Sequence, residues 1–144
     1  MLEAAVRGAE AGAAKAGHPA PVVLAVTVLT SIDEKALAAS GVTDSVVSQV
    51  GRLAALAAQA KVGGLVCSAR EVGAVRLIVG PRMVLCTPGI RLAGAAQDDQ
   101  ARVETPEAAV RAGSNLLVIG RPIYEAADPA KAAEEILASI SRRP

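Results

Sequence analysis

Val22-Val23-Leu24-Ala25-Val26-Thr27-Val28-Leu29 is a continuous run of apolar and β-branched residues. A strand with one face in water alternates polar and apolar positions. This run does not, so it reads as a strand covered on both faces, as in a parallel sheet. Shorter runs repeat the signal further along: Leu65-Val66-Cys67 after Gly63-Gly64, Met83-Val84-Leu85-Cys86 after Gly80-Pro81, and Leu116-Leu117-Val118-Ile119 after Gly113.

Helical patterns separate the runs. Leu2 to Lys15 is rich in Ala and Glu and is stopped by Gly17 and Pro19. From Asp44 to Lys61, Val46, Val47, Val50, Leu53, Ala54 and Leu56 recur at helical spacing. Ser68-Ala69-Arg70-Glu71 has the spacing of a capping box, which predicts a helix starting there and running to Leu77. Thr105-Pro106-Glu107 supplies a cap and a proline at the first helical position, with Gly113 as the stop. Asp128-Pro129 opens a last helix rich in Ala, Glu and Lys. The order is α followed by β-α units, which predicts an α/β fold: a parallel sheet of four strands with surrounding helices, one domain over residues 1–144. That amounts to half of a (β/α)8 barrel, opening on a helix where a barrel begins with a strand.

If the strands are parallel, Thr87-Pro88-Gly89-Ile90-Arg91 and Gly120-Arg121-Pro122 leave the sheet at the same rim. Two guanidiniums and several glycine amides converging there make a receptor for a phosphate group, and carboxyl strand ends are where such folds place ligands. The bland alternative for each is a surface arginine that follows a buried strand; the tight turn set by Gly120 and Pro122 favours the phosphate reading for Arg121.

Composition narrows the partners. The chain of 144 residues is 52% hydrophobic, yet it has no Phe, no Trp and a single aromatic, Tyr124. That excludes a base-stacking platform for single-stranded nucleic acid. Fifteen basic residues against fourteen acidic ones leave a net charge of +1, too little to steer the molecule to DNA or an anionic membrane. Cys67 and Cys86 each close a strand and read as reduced, packing cysteines, consistent with the cytoplasm. His18 is the sole imidazole, so no metal site is expected, and no histidine stands ready to activate Cys67 or Ser68 as a nucleophile. No apolar run reaches the roughly 18 residues of a membrane span.

The segments Leu24 to Ser31, Val66-Cys67-Ser68, Thr87 to Arg91, Asp98-Asp99-Gln100 and Gly120-Arg121-Pro122-Ile123, in this order and spacing, resemble the carboxy-terminal half of bacterial orotidine 5′-phosphate decarboxylases. Met1 to Ala5 resembles the start of the helix after that family's fourth strand, so the likeness runs over essentially the whole chain. The resemblance implies a (β/α)8 fold and loss of CO2 from orotidine 5′-phosphate to give uridine 5′-phosphate, without metal or cofactor. It implies that Arg91, Gly120 and Arg121 bind the substrate phosphate. It further implies that Gln100 bridges phosphate and pyrimidine and that Thr30 contacts the pyrimidine. Read from residues alone, Gln100 is a solvated loop residue and Thr30 equally a cap for a short helix near Asp33. Arg102 is a rim charge, and Leu92 stands where the family usually has proline.

What is missing is the chemistry. By the resemblance, the family's catalytic lysines and aspartates come from Asp-x-Lys-x-x-Asp on its third strand and from earlier strands, and no such motif occurs here. Lys15, Lys35, Lys61 and Lys131 all fall on helices or in loops. No catalytic residue is therefore expected on this chain, and the isolated chain is expected to be inactive. Two other readings stay open: a non-catalytic phosphate-binding half-barrel, and a sugar-phosphate synthase or aldolase of the same architecture. A half-barrel also leaves one apolar sheet face and two sheet edges uncovered, which predicts a homodimer with a Val, Leu and Ile interface.

Overall fold

A computed structural model describes residues 1–92 and 104–141. Four strands, β1 (Leu24–Val26), β2 (Gly64–Val66), β3 (Val84–Thr87) and β4 (Leu116–Leu117), form one parallel sheet in the order β1-β2-β3-β4. The helices are α1 (Leu2–Ala16), α2 (Glu34–Ala39), α3 (Val46–Gln59), α4 (Val72–Val79), α5 (Pro106–Ala112), α6 (Arg121–Tyr124) and α7 (Pro129–Ser141).

The predicted order holds, with the strands shorter than the apolar runs. Only the middle of Val22–Leu29 pairs as β1; the residues that follow leave the ladder to build the rim. Caps explain the helix starts. Asp33 accepts the Ala36 N–H at 2.7 Å and opens α2. Ser45 accepts the Ser48 N–H at 3.1 Å, while the Glu34 carboxylate takes the Val46 N–H at 2.9 Å, so α2 caps α3. Thr105 accepts the Ala108 N–H at 3.3 Å and Asp128 the Lys131 N–H at 3.0 Å. At Ser68 the capping box forms its reciprocal limb, with Glu71 Oε2 accepting the Ser68 N–H at 3.1 Å. Ser68–Glu71 closes as a turn first, so α4 begins at Val72 rather than at once and runs on to Val79.

The sheet register decides which residues share a face. Val26, Val66, Cys86 and Leu116 stand in one row across all four strands, with Leu24, Gly64 and Val84 in the row below. Ala25, Leu65 and Leu85 point the other way, into a core with Val50, Ala54 and Ala57 of α3 and Val72 and Val75 of α4. A second cluster packs Ala69, Ile90 and Ala109 against Leu117 and Ile119. Gly64 is obligatory in its row: a Cβ there would lie 2.5 Å from both Leu24 Cδ2 and the Val84 carbonyl oxygen. The opposite face is exposed at its two ends, while Cys86 within it is buried. Val26 and Leu116 at the two ends of their row are 54% and 51% exposed, so the apolar inner face expected of a half-barrel is present.

Candidate functional site

The rim is assembled at the carboxyl ends of the strands. After β3, Gly89 takes a left-handed φ of 74°, which turns the chain so that Ile90 is buried and Arg91 follows beneath the rim. Ile90 bridges Glu104 in parallel, and the Arg91 N–H donates to the Glu104 carbonyl at 3.0 Å. After β4, the Val118 N–H donates to the Thr87 carbonyl at 2.9 Å. Gly120 then caps α6, accepting from the Ile123 and Tyr124 N–H groups at 2.8 and 3.2 Å.

A cavity of about 350 Å³ lies between these turns, and every strand contributes to it. Thr30 comes from the end of β1, Cys67 from β2, Arg91 from β3, and Gly120 and Arg121 from β4. Four of the residues singled out in the sequence therefore meet at one cavity. The fifth, Gln100, lies outside the described residues, as does Arg102. Thr30 is buried in the cavity wall and does not cap α2, because Asp33 fills that role.

Arg91 is the most informative of these side chains. It is 9% exposed, its Nη1 donates to the Ile90 carbonyl at 3.0 Å, and its Nε and Nη2 are buried without a hydrogen-bond partner among the described residues. Buried guanidinium donors left unpaired are costly, and an anion in the adjoining cavity would offset that cost.

Sequence reading passed over Tyr124 as a site residue, although it lines the same cavity. The available signal was its place one helical turn after Arg121. Cys67 and Cys86 are both buried thiols. Cys67 joins the helix-side core, whereas Cys86 belongs to the open-face row, so the two point to opposite faces. Burial pushes the Cys86 thiol up from its ordinary value.

Lys15, Lys35 and Lys131 lie on helices and Lys61 follows α3, ahead of the amino end of β2, so none follows the carboxyl end of a strand directly. Asp33-Glu34-Lys35 carries an Asp-x-Lys pair, but Ala38 stands where a second aspartate would be and Asp33 is engaged as a cap. Among the described residues no cluster of His, Cys, Asp or Glu has metal-site spacing, and no helix is long and apolar enough to cross a membrane.

A four-stranded parallel sheet with helical returns and a cavity at its carboxyl rim has the layout of half of a (β/α)8 barrel. Residues 1–136 match the family described as orotidine 5'-phosphate decarboxylase / HUMPS, and the chain belongs to that family. It is 53% identical over 140 residues to the orotidine 5'-phosphate decarboxylase of Anaeromyxobacter sp. (strain K), covering 97% of this chain and 58% of that protein. The enzyme of that name from Thermobifida fusca is 53% identical over 142 residues, covering 99% of this chain and 57% of the relative. The crystal structure of orotidine 5'-phosphate decarboxylase from Lactobacillus acidophilus superposes with a TM-score of 0.81 at 36% identity, over 97% of this chain and 58% of that one. The chain thus spans a little over half the length of the relatives it matches.

Proposed function

We propose that this chain is the phosphate- and pyrimidine-binding half of an orotidine 5′-phosphate decarboxylase, acting on a small phosphorylated substrate in the cytoplasm. The observation that carries the reading is the buried, unpaired Nε and Nη2 of Arg91 beside a cavity that also holds Arg121 and the Gly120 turn. In this reading Arg91, Gly120 and Arg121 hold the phosphate, Thr30 meets the pyrimidine, and Gln100, outside the described residues, bridges the two. The names of the relatives favour this over a sugar-phosphate synthase or aldolase.

The division of labour follows from physical chemistry. A phosphate grip anchors the substrate away from the reacting carbon and supplies binding energy that a catalytic centre converts into rate. The rate itself comes from preorganised charges set against the carboxylate, and these 144 residues contain no Asp-x-Lys-x-x-Asp to provide them. The isolated polypeptide accordingly behaves as one half-barrel unit that binds without turning over. Its open sheet face, with Val26 and Leu116 exposed, supports pairing with a second copy.

Titration of uridine 5′-phosphate into the wild-type chain and Arg121→Ala tests the site. Loss of one charge-assisted contact should cost about 1.5–3 kcal/mol. Equal affinities would remove the phosphate assignment, and turnover of orotidine 5′-phosphate by the purified chain would show a catalytic group on it.

A further inference from the structure

Tyr124 is the one aromatic side chain in 144 residues, and it stands 65% exposed at the mouth of the cavity. Its position is set by its backbone: the Tyr124 N–H donates to the Gly120 carbonyl at 3.2 Å on the single turn that also carries Arg121. The ring edge is seated over Gly120, where a Cβ would come within 3.4 Å of Cε1 and 3.9 Å of Cδ1. Those are ordinary van der Waals distances, so the ring packs beside the backbone at the arginine turn. An amphipathic ring fixed at one edge and wet elsewhere gains contact area when a ligand covers it.

We infer that Tyr124 is a ligand-contacting residue, its ring covering the organic part of a phosphate monoester whose phosphate is held at Gly120 and Arg121. The inference rests on the phosphate reading of this site and deepens it by assigning a residue to the nucleoside portion. The ligand class it selects is an esterified phosphate rather than inorganic phosphate. Contact by the ring, and not by the hydroxyl, is what the seating over Gly120 supports.

Uridine 5′-phosphate and inorganic phosphate are titrated separately against wild type, Tyr124→Ala, Tyr124→Phe and Arg121→Ala. Tyr124→Ala should weaken the nucleotide about three- to tenfold, the range an aromatic contact supplies, and leave inorganic phosphate unchanged. Tyr124→Phe should stay close to wild type for both ligands. With no Trp or Phe in the chain, tyrosine fluorescence reports this one ring, and it should change with nucleotide along the same binding curve. Unchanged nucleotide affinity in Tyr124→Ala, equal weakening of both ligands, or a silent fluorescence signal at saturation would overturn the inference. A nucleotide affinity that Arg121→Ala leaves unaltered would instead overturn the phosphate site itself.

Discussion

Arg76 Nη2 lies 2.8 Å from Asn115 Oδ1, and that asparagine oxygen also accepts the Leu85 N–H at 2.9 Å. The guanidinium further donates to the carbonyls of Gly80, Met83 and Gly113 at 2.9, 2.6 and 3.0 Å. One arginine thereby ties α4 to the amino ends of β3 and β4. Arg91, at the opposite end of β3, has buried nitrogens without partners among the described residues. The two rims of one sheet thus differ: the amino rim satisfies the Nη1 and Nη2 of its arginine internally, and the carboxyl rim buries the Nε and Nη2 of Arg91 without a partner among the described residues.

Arg76→Ala should destabilise the fold by about 2–3 kcal/mol, since it strands several carbonyls and the Asn115 amide. Arg76→Lys should recover little of this, because an ammonium cannot reproduce the planar fork. Urea unfolding measures both, and a wild-type midpoint in Arg76→Ala would refute the account.

Lys61 holds a left-handed φ of 56° just after α3, where the Val62 N–H closes onto the Ala57 carbonyl at 3.3 Å. Glycine adopts that conformation without strain, so Lys61→Gly should stabilise the chain by about 0.5–1 kcal/mol. Gly64→Ala should do the reverse by about 1–3 kcal/mol, because its Cβ meets backbone that cannot yield. Thermal melts of the two variants should move in opposite directions.

Glu107 has its carboxyl held below its ordinary value, first by the Ser139 hydroxyl on α7, which it shares with the Ile136 carbonyl at 2.8 Å, and then by its own backbone N–H. A depressed folded pKa contributes stability above the unfolded value, and that contribution disappears as pH falls through the folded one. Ser139→Ala should therefore be less stable than wild type at neutral pH, with the gap closing in acid below the carboxylate range. A gap independent of pH would assign the effect to packing between α5 and α7 instead.

Self-pairing through the open sheet face predicts sedimentation above 14.4 kDa at micromolar concentration. Replacing Val26 and Leu116 by Glu places charge at both ends of the exposed row and should lower the mass toward one chain. A well-folded wild-type monomer would defeat the pairing.

The sequence by itself determined the element order and the parallel sheet, because runs such as Val22–Leu29 and caps such as Thr105 are local signals read within one turn or strand. It also pointed to Arg91 and Arg121 through the turns that follow their strands. Tertiary structure alone decided how few residues of each run pair, since strand length is set by where neighbouring strands end. It decided that Val26, Val66, Cys86 and Leu116 share a row, which is a matter of register. It also decided that Arg91 keeps unpaired donors while Arg76 does not, because hydrogen-bond partners come from residues distant in the chain.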